Sequence, residues 1–185
     1  TELLVEDRAQ NPSNYSVVLV SEGATFKGME EMMFKNGYRI TAYYLQPGDV
    51  WPTGYHEGLD VIPLGDDKNI YSPCDFVVTE INDKNNTVLG NTVILWNKDC
   101  KMMFMLCHLK KIFVKKGDTV SRGDKIALMG GTGGSKTFAE HLHVFYYPTG
   151  PTGLRTSRVN TPNIKNKYGH EDPEPLYRLL CGVPG

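Results

Sequence analysis

The residues best suited to chemistry lie in the stretch EHLHVFYY, residues 140–147, where two histidines flank one leucine. The aromatic and β-branched residues that follow predict a β-strand. Because residues i and i+2 of a strand point to the same side, His141 and His143 would be neighbours on one face, while Leu142 and Val144 would face a core. The stretch therefore offers two imidazoles on one surface.

Two further segments supply partners for this histidine pair. GYHEGLD places His56 four residues before Asp60, and CHL places His108 at the end of a predicted strand. Two histidines and one aspartate form an open zinc set, because three protein ligands leave one coordination position for water. The remaining histidines could orient that water, take its proton or stabilise an oxyanion. The residue types thus indicate metal-assisted hydrolysis.

Two other catalytic interpretations are weaker. HEGLD would be a zincin-like motif only on a helix, and Gly58 and Pro63 argue against a helix there. We therefore interpret Glu57 as an exposed loop carboxylate. Cys107 beside His108 could suggest a cysteine peptidase, but strand alternation would point the two side chains to opposite faces. A packing role for Cys107 is favoured.

The elements that must position these residues are short strands. Apolar runs with period two alternate with Gly-, Asn- and Asp-rich turns, which predicts a mostly β fold: an antiparallel sheet or sandwich-like domain with long groove-forming loops. The predicted strands are Tyr38–Tyr44, Asp75–Ile81, Asn91–Asn97, Lys101–Leu109, Lys125–Met129 and His141–Tyr147. The predicted turns are Gln46–Gly48, Asn82–Asn86, Lys116–Asp118 and Gly130–Gly134.

Three segments divide the chain: an N-terminal extension at 1–36, a catalytic domain at 37–180 and a tail at 181–185. Within the extension, Asn14–Val20 could be a strand and Lys27–Lys35 has helical composition. Near the end, Pro148–Pro175 is predicted to be a surface excursion and Glu174–Leu180 a short helix. His170 lies in the polar run GHEDPEP of that excursion, and we interpret it as a solvated bystander.

Composition excludes several partners. The formal net charge is −1 at pH 7, so nothing points to nucleic acid, and no apolar run is long enough to span a bilayer. No secretory signal is visible and the chain begins at Thr1, which we interpret as a processed form or a piece of a longer protein. The four cysteines, none in a C-x-x-C pattern, are predicted to be buried thiols.

The ordered motifs resemble the lysostaphin-like, or LytM-type, family of zinc metalloendopeptidases, which hydrolyse peptidoglycan. The pattern is H-x-x-x-D in HEGLDV, then a strand ending in CHL, then GGTGGS shortly before HLHV. YRIT, IYSPCDFVV, GNTVILWN, VKKGDTVSRGDKIALM and EDPEPLYRL resemble the family's other segments in the same order. The resemblance covers residues 38–179.

The resemblance implies a role for each site residue. His56, Asp60 and His143 would bind one Zn²⁺ per chain. His108 and His141 would be the catalytic histidines that activate water and stabilise the oxyanion, and the residues do not decide which of them is the base. The implied activity is hydrolysis of peptide bonds in the stem or cross-bridge of bacterial peptidoglycan.

The biological setting follows from the same resemblance. The enzyme would act on peptidoglycan peptides at the bacterial cell wall, from the extracellular or periplasmic side or on a virion, as a phage tail-associated enzyme or a lysin. Other phage tail or envelope proteins would then be partners. The alternatives are a non-cleaving module that binds peptidoglycan or a partner, and a latent form of the enzyme. The complete five-residue set argues against the first.

The sequence also departs from the family pattern near the site. Glu140 stands where the family usually has proline, and Phe145 stands where an acidic residue is common. The spacer KTFAE before His141 is atypical, and Cys74 replaces a small residue in a turn. These departures bear on groove shape and substrate preference more than on the chemistry.

Overall fold

The computed structural model describes residues 33–52, 54–97 and 102–147. Several predictions lie outside these ranges: the strand Asn14–Val20, most of the helical segment Lys27–Lys35, and the tail with Pro148–Pro175 and Glu174–Leu180. The division into an extension, a domain and a tail stays a prediction.

The described part of the chain consists of short antiparallel strands and contains no helix, which confirms the mostly β fold. No helix there has the length and hydropathy needed to cross a membrane. The strands are β1 Tyr38–Ala42, β2 Leu59–Pro63, β3 Asn69–Tyr71, β4 Phe76–Asn82, β5 Asn91–Asn97, β6 Met102–Leu109, β7 Lys111–Ile112, β8 Thr119–Val120, β9 Lys125–Leu128, β10 Gly130–Gly133 and β11 Lys136–Tyr147.

Two sheets enclose the main core. The larger sheet has the order β1-β2-β11-β6-β5-β4-β8, with β10 attached to β11, and the smaller sheet has the order β3-β9-β7. Apolar side chains of both sheets form one buried cluster, within which the rings of Phe76 and Phe104 meet edge to face with centroids 6.0 Å apart. Its members include Phe34, Leu59, Ile70, Phe76, Val93, Phe104, Ile126 and Leu142.

Side chains of His141–Tyr147 alternate between the two faces of the sheet, as predicted, so that one set enters the core and the other faces the site. Leu142, Val144 and Tyr146 belong to the main core. The residues between them point to the opposite face, where Phe145 and Tyr147 join a second apolar cluster with Met103, Met105 and Cys107. The larger sheet therefore carries its histidines on the face turned away from the main core.

Three predictions about the elements were wrong or incomplete. The predicted turn Gly130–Gly134 is largely strand β10, and β11 begins at Lys136 instead of His141. Four short strands were missed: β2, β3, β7 and β8. Runs of two to five residues are too short for a period-two pattern to stand out, and their pairing is decided by tertiary contacts.

The helix predicted for Lys27–Lys35 is wrong at the C-terminal end of that segment, which is the part that the structure describes. Met33 forms an antiparallel bridge with Tyr71 and has a φ of 53°, which is not helical. Met33 and Phe34 are fully buried in the main core. The residues just before the predicted domain boundary at position 37 thus pack with the β domain.

Candidate active site

Strands β2 and β11 bring Asp60 and His143 side by side. The two residues are direct cross-strand partners in the larger sheet, and His143 pairs on its other side with Cys107 of β6. Leu59 and Val61 of β2 are buried in the main core, so alternation turns Asp60 to the face that carries His143. Both strands have a hydrogen-bonded neighbour on each side within the larger sheet, which fixes the backbones of Asp60 and His143.

His56 reaches the same point from the loop that precedes β2. Backbone hydrogen bonds close this loop, from His56 N to Gln46 O and from Leu45 N to His56 O. The Nδ1 atom of His56 lies 2.9 Å from the carbonyl oxygen of Tyr43. A carbonyl oxygen only accepts, so Nδ1 carries the proton and Nε2 presents its lone pair to the site.

The donor atoms of these three residues form a compact triangle. His56 Nε2 lies 3.1 Å from Asp60 Oδ1 and 3.1 Å from His143 Nδ1, and His143 Nδ1 lies 2.7 Å from Asp60 Oδ1. Ligands of a tetrahedral zinc ion are about 3.4 Å apart, so small adjustments would admit the ion. The donor set of two imidazoles and one carboxylate suits zinc, and the bond to Tyr43 provides the outer support that ligating histidines have.

The charges of the triangle also suit a cation. Burial raises the pKa of the Asp60 carboxyl, but hydrogen bonds and charge interactions with His143 and His56 outweigh it and hold that pKa well below its usual range. Burial lowers the pKa of His143, whose neighbour Asp60 opposes the shift. At neutral pH the aspartate is ionised and the His143 imidazole is neutral, which are the forms that bind a metal.

His108 faces the site because of an irregularity in β6. The register between β5 and β6 shifts by one residue between Asn91 and Val93, so that Leu106 and Leu109 both enter the main core although they are three residues apart. His108 lies in this bulge with a φ of 62°, in the left-handed region. The bulge re-aims the His108 side chain from the core face to the site.

The His108 ring is buried and oriented by one carbonyl group. Its Nδ1 lies 2.7 Å from Thr132 O, so Nδ1 carries the proton and Nε2 is left as an acceptor. Burial lowers the pKa of His108 to about 4, and the bond to Thr132 only partly opposes this. The ring is therefore neutral at physiological pH.

His141 lies at the more accessible side of the site. Its Nδ1 is 2.7 Å from Ala139 O, which again leaves Nε2 as the acceptor, and this Nε2 lies 3.7 Å from Asp60 Oδ1. The centroids of the His108 and His141 rings are 4.7 Å apart. The structure thus brings all five predicted site residues together. The donor atoms of His56, Asp60 and His143 converge on one point, and His108 and His141 lie beside it.

Two aromatic side chains border the site and were not predicted. Phe138 of β11 packs against His108 with ring centroids 4.9 Å apart, and Trp51 packs against His56 at 4.8 Å. Both are partly exposed. Phe138 lies in the spacer KTFAE, and the departure of this spacer from the family pattern is the sequence feature that could have pointed to it. Trp51 lies in a loop without a recognisable pattern.

The structure also bears on the interpretations of Glu57, of two cysteines and of the HEGLD motif. Glu57 is partly buried instead of exposed. The bulge at His108 breaks the alternation that we used to separate it from Cys107, yet Cys107 is completely buried in the second apolar cluster, which agrees with a packing role. Cys74 is buried as predicted. In HEGLD, residues 56–58 form a loop and Leu59 and Asp60 begin β2, so the motif is not helical, as predicted.

Comparison with known protein families gives a match over the segment that holds this site. The model of Peptidase family M23 matches residues 54–152. Peptidoglycan DD-endopeptidase ShyA of Vibrio cholerae is 39% identical over 89 residues, which are 48% of this chain and 19% of that protein. An uncharacterized metalloprotease of Buchnera aphidicola is 34% identical over 113 residues, 60% of this chain and 27% of that protein. The chain thus spans about a fifth to a quarter of these relatives.

Solved structures show the same architecture. LytU superposes with a TM-score of 0.56 at 28% identity, covering 76% of this chain and 84% of that one. The catalytic domain of lysostaphin from Staphylococcus simulans gives a TM-score of 0.59, covering 84% of this chain and 98% of that one. Its identity is 22%, so this likeness concerns the fold alone.

Proposed function

Because the chain belongs to peptidase family M23, we propose that it is a zinc-dependent endopeptidase that hydrolyses peptide bonds in bacterial peptidoglycan. One observation carries the proposal most strongly. His56, Asp60 and His143 turn three donor atoms towards one point, and His108 and His141 stand beside it with acceptor nitrogens available. That arrangement combines a cation site with two groups able to move protons.

His56, Asp60 and His143 would hold one zinc ion per chain. When bound, zinc polarises a carbonyl group and lowers the pKa of water, which makes peptide hydrolysis accessible at neutral pH. The protein's own contribution is orientation. Tyr43 O fixes the His56 ring, and the strand pairing of His143 with Asp60 fixes the other two ligands.

His108 and His141 would share the proton transfers. Each presents an unprotonated Nε2, so one ring can accept the proton of the attacking water and deliver it to the leaving amine nitrogen. Until it delivers that proton, the same ring carries it on Nε2 and can donate a hydrogen bond to the oxyanion of the tetrahedral intermediate. The rings lie 4.7 Å apart between centroids, so both can contact one scissile group.

The relatives support the substrate class. ShyA is named a peptidoglycan DD-endopeptidase, and the Buchnera protein is named a metalloprotease. Peptidoglycan peptides are therefore the proposed substrate, and the cell wall is the proposed place of action. The predicted extracellular or periplasmic location and the predicted association with a virion or phage tail remain predictions.

The test is digestion of purified peptidoglycan of several cross-link types, followed by mass spectrometry of the released fragments. We expect new amino termini at one kind of peptide bond. His143→Ala run in parallel should release none. An absence of new termini on every wall type, with zinc shown to be bound, would overturn the proposal.

A further inference from the structure

The orientation of His108 depends on one carbonyl group outside its own strand. Its Nδ1–H donates to Thr132 O at 2.7 Å, and no other hydrogen bond of the ring is present in the described residues. His108 itself lies in a left-handed bulge, where its backbone N–H donates to Leu89 O at 2.8 Å outside the regular strand pairing. The position of Thr132 O therefore decides which ring nitrogen carries the proton.

Sheet pairing does not fix that carbonyl firmly. Thr132 lies in β10, which among the described strands pairs with β11 alone and lies off the path of the larger sheet. The register within this hairpin shifts between Gly130 and Thr132. The close approach of β10 to Asn91, the first residue of β5, must therefore come from other contacts.

The Thr132 hydroxyl supplies the direct link. It donates to Leu109 O at 2.9 Å and accepts from Asn91 N at 3.0 Å, so it joins β10 to β6 and β5 at once. Leu109 directly follows His108, and the same carbonyl of Leu109 accepts from Asn91 Nδ2 at 2.9 Å. The Thr132 hydroxyl thus ties β6, which carries the donor His108, to β10, which carries the acceptor Thr132 O.

Two asparagines extend the link to the hairpin turn. Asn91 Oδ1 accepts from Asn85 N at 2.9 Å, and Asn85 Oδ1 accepts from Gly134 N at 2.8 Å. Gly90 makes room for the hairpin, because a Cβ there would lie 2.2 Å from Thr132 O. The hairpin is therefore bound to the first residue of β5 at Thr132 and to the β4–β5 connection at Gly134.

From these contacts we propose that Thr132 is a positioning residue for the peptidase reaction. Its hydroxyl anchors β10 so that its own carbonyl group holds His108 in the Nδ1–H tautomer, with Nε2 turned to the site. The inference rests on the proposed function, because it assigns His108 a part in that reaction. Nothing in residue types or spacing at GGTGGS indicates this role.

The test compares Thr132→Val, which removes the hydroxyl at nearly constant shape, with Thr132→Ser, which keeps it. Thr137→Val is the matched control, because Thr137 is the cross-strand partner of Thr132 and its side chain is exposed. The readouts on the full chain are zinc content, kcat and KM on peptidoglycan, and histidine ring ¹H–¹⁵N correlation spectra, assigned with His108→Ala.

We expect Thr132→Val to lower kcat by about tenfold with unchanged zinc content and a KM within about twofold, since the altered group acts on proton transfer. Its His108 signals should lose the pattern of a single Nδ1–H tautomer, and Thr132→Ser and Thr137→Val should keep it. If Thr132→Val does not fold, Thr132→Ala removes the same hydroxyl with less bulk.

Two results would overturn the inference: His108 signals that are identical in Thr132→Val and the unaltered chain, or a loss of kcat in Thr132→Ser equal to that in Thr132→Val. If the first of these comes with a loss of thermal stability, it assigns Thr132 a structural role alone. The spectra do not require turnover, so they test the role of Thr132 even if the unaltered chain cleaves nothing. Absent cleavage by the unaltered chain would count against the proposed function, and unchanged His108 signals would count against the role of Thr132.

Discussion

At the scale of single residues, the site histidines differ in the nitrogen that faces the site. His56, His108 and His141 donate from Nδ1 to backbone carbonyl groups and present Nε2, whereas His143 presents Nδ1 to Asp60. Residue types and spacing predicted that these five residues meet. They could not predict the nitrogens of His56 and His108, because the carbonyl groups that decide them, Tyr43 O and Thr132 O, belong to other segments of the chain.

His143→Ala should remove zinc binding and hydrolysis together, because it deletes one of three donor atoms and leaves Asp60 without its closest partner. We expect zinc affinity to fall by more than about 100-fold. Metal analysis after dialysis and a cleavage assay would check this. The neighbouring Glu140→Ala is the control, since within the described part of the chain Glu140 lies at the surface and forms an ion pair with Lys68. One equivalent of zinc in His143→Ala would contradict the ligand assignment.

His108→Ala should separate binding from chemistry. The variant keeps all three proposed ligands, so its zinc content should match that of the unaltered chain, while kcat falls by about 10²–10⁴-fold. Steady-state kinetics with metal analysis would measure both quantities. His170→Ala, at the predicted bystander, is the control. Unchanged kcat in His108→Ala would remove this residue from the mechanism.

At the scale of elements, two irregular features build the site, and neither was predicted. One is the β6 bulge that turns His108 outwards, and the other is the glycine-rich strand β10 that supplies Thr132 O. Regular strands were predictable because alternation of Leu142, Val144 and Tyr146 marks a buried face. A bulge has no such period, and GGTG lacks the side chains that identify a strand.

The contact between β10 and the start of β5 can be tested at Gly90. Gly90→Ala should cost about 1–3 kcal/mol of unfolding free energy and lower activity, because Gly90 has a φ of 66° and an added Cβ would meet Thr132 O. Gly117→Ala is matched, since Gly117 has a φ of 92° but open space around its Cα. Urea unfolding and cleavage assays should show a larger loss at Gly90. Equal losses would mean that backbone strain alone matters.

At the scale of the whole molecule, two antiparallel sheets bury one core and leave the opposite face of the larger sheet for the site. This class of fold was predictable from many short alternating strands. The order β1-β2-β11-β6 was not, because β2 pairs with β11 although Asp60 and His143 are 83 residues apart in the chain. That long-range pairing places Asp60 beside His143.

The buried neutral His108 should make the stability of the metal-free protein depend on pH. Its pKa in the folded state is about 4, below the ordinary value of 6.5, so protonation favours the unfolded chain. The stabilising contribution is complete above pH 6.5 and is lost as the pH falls towards 4. Between pH 7 and pH 5 we expect a loss of about 2 kcal/mol from this residue.

Urea unfolding of the metal-free protein at those two pH values would check this loss against His108→Gln, which has no group titrating in the range. The variant should lose correspondingly less unfolding free energy between the two pH values. The same pH dependence in both proteins would show that His108 is not held neutral by the fold.

The most direct test of the central claim is restoration of peptide-bond cleavage by zinc. A chelator-treated protein would be titrated with zinc, and new amino termini released from purified peptidoglycan would be counted by mass spectrometry at each step. We expect no cleavage without metal and a rise that saturates near one zinc ion per chain. Cleavage that is indifferent to zinc removal would contradict a zinc-dependent mechanism, as would a fully zinc-loaded protein that cleaves no peptide bond.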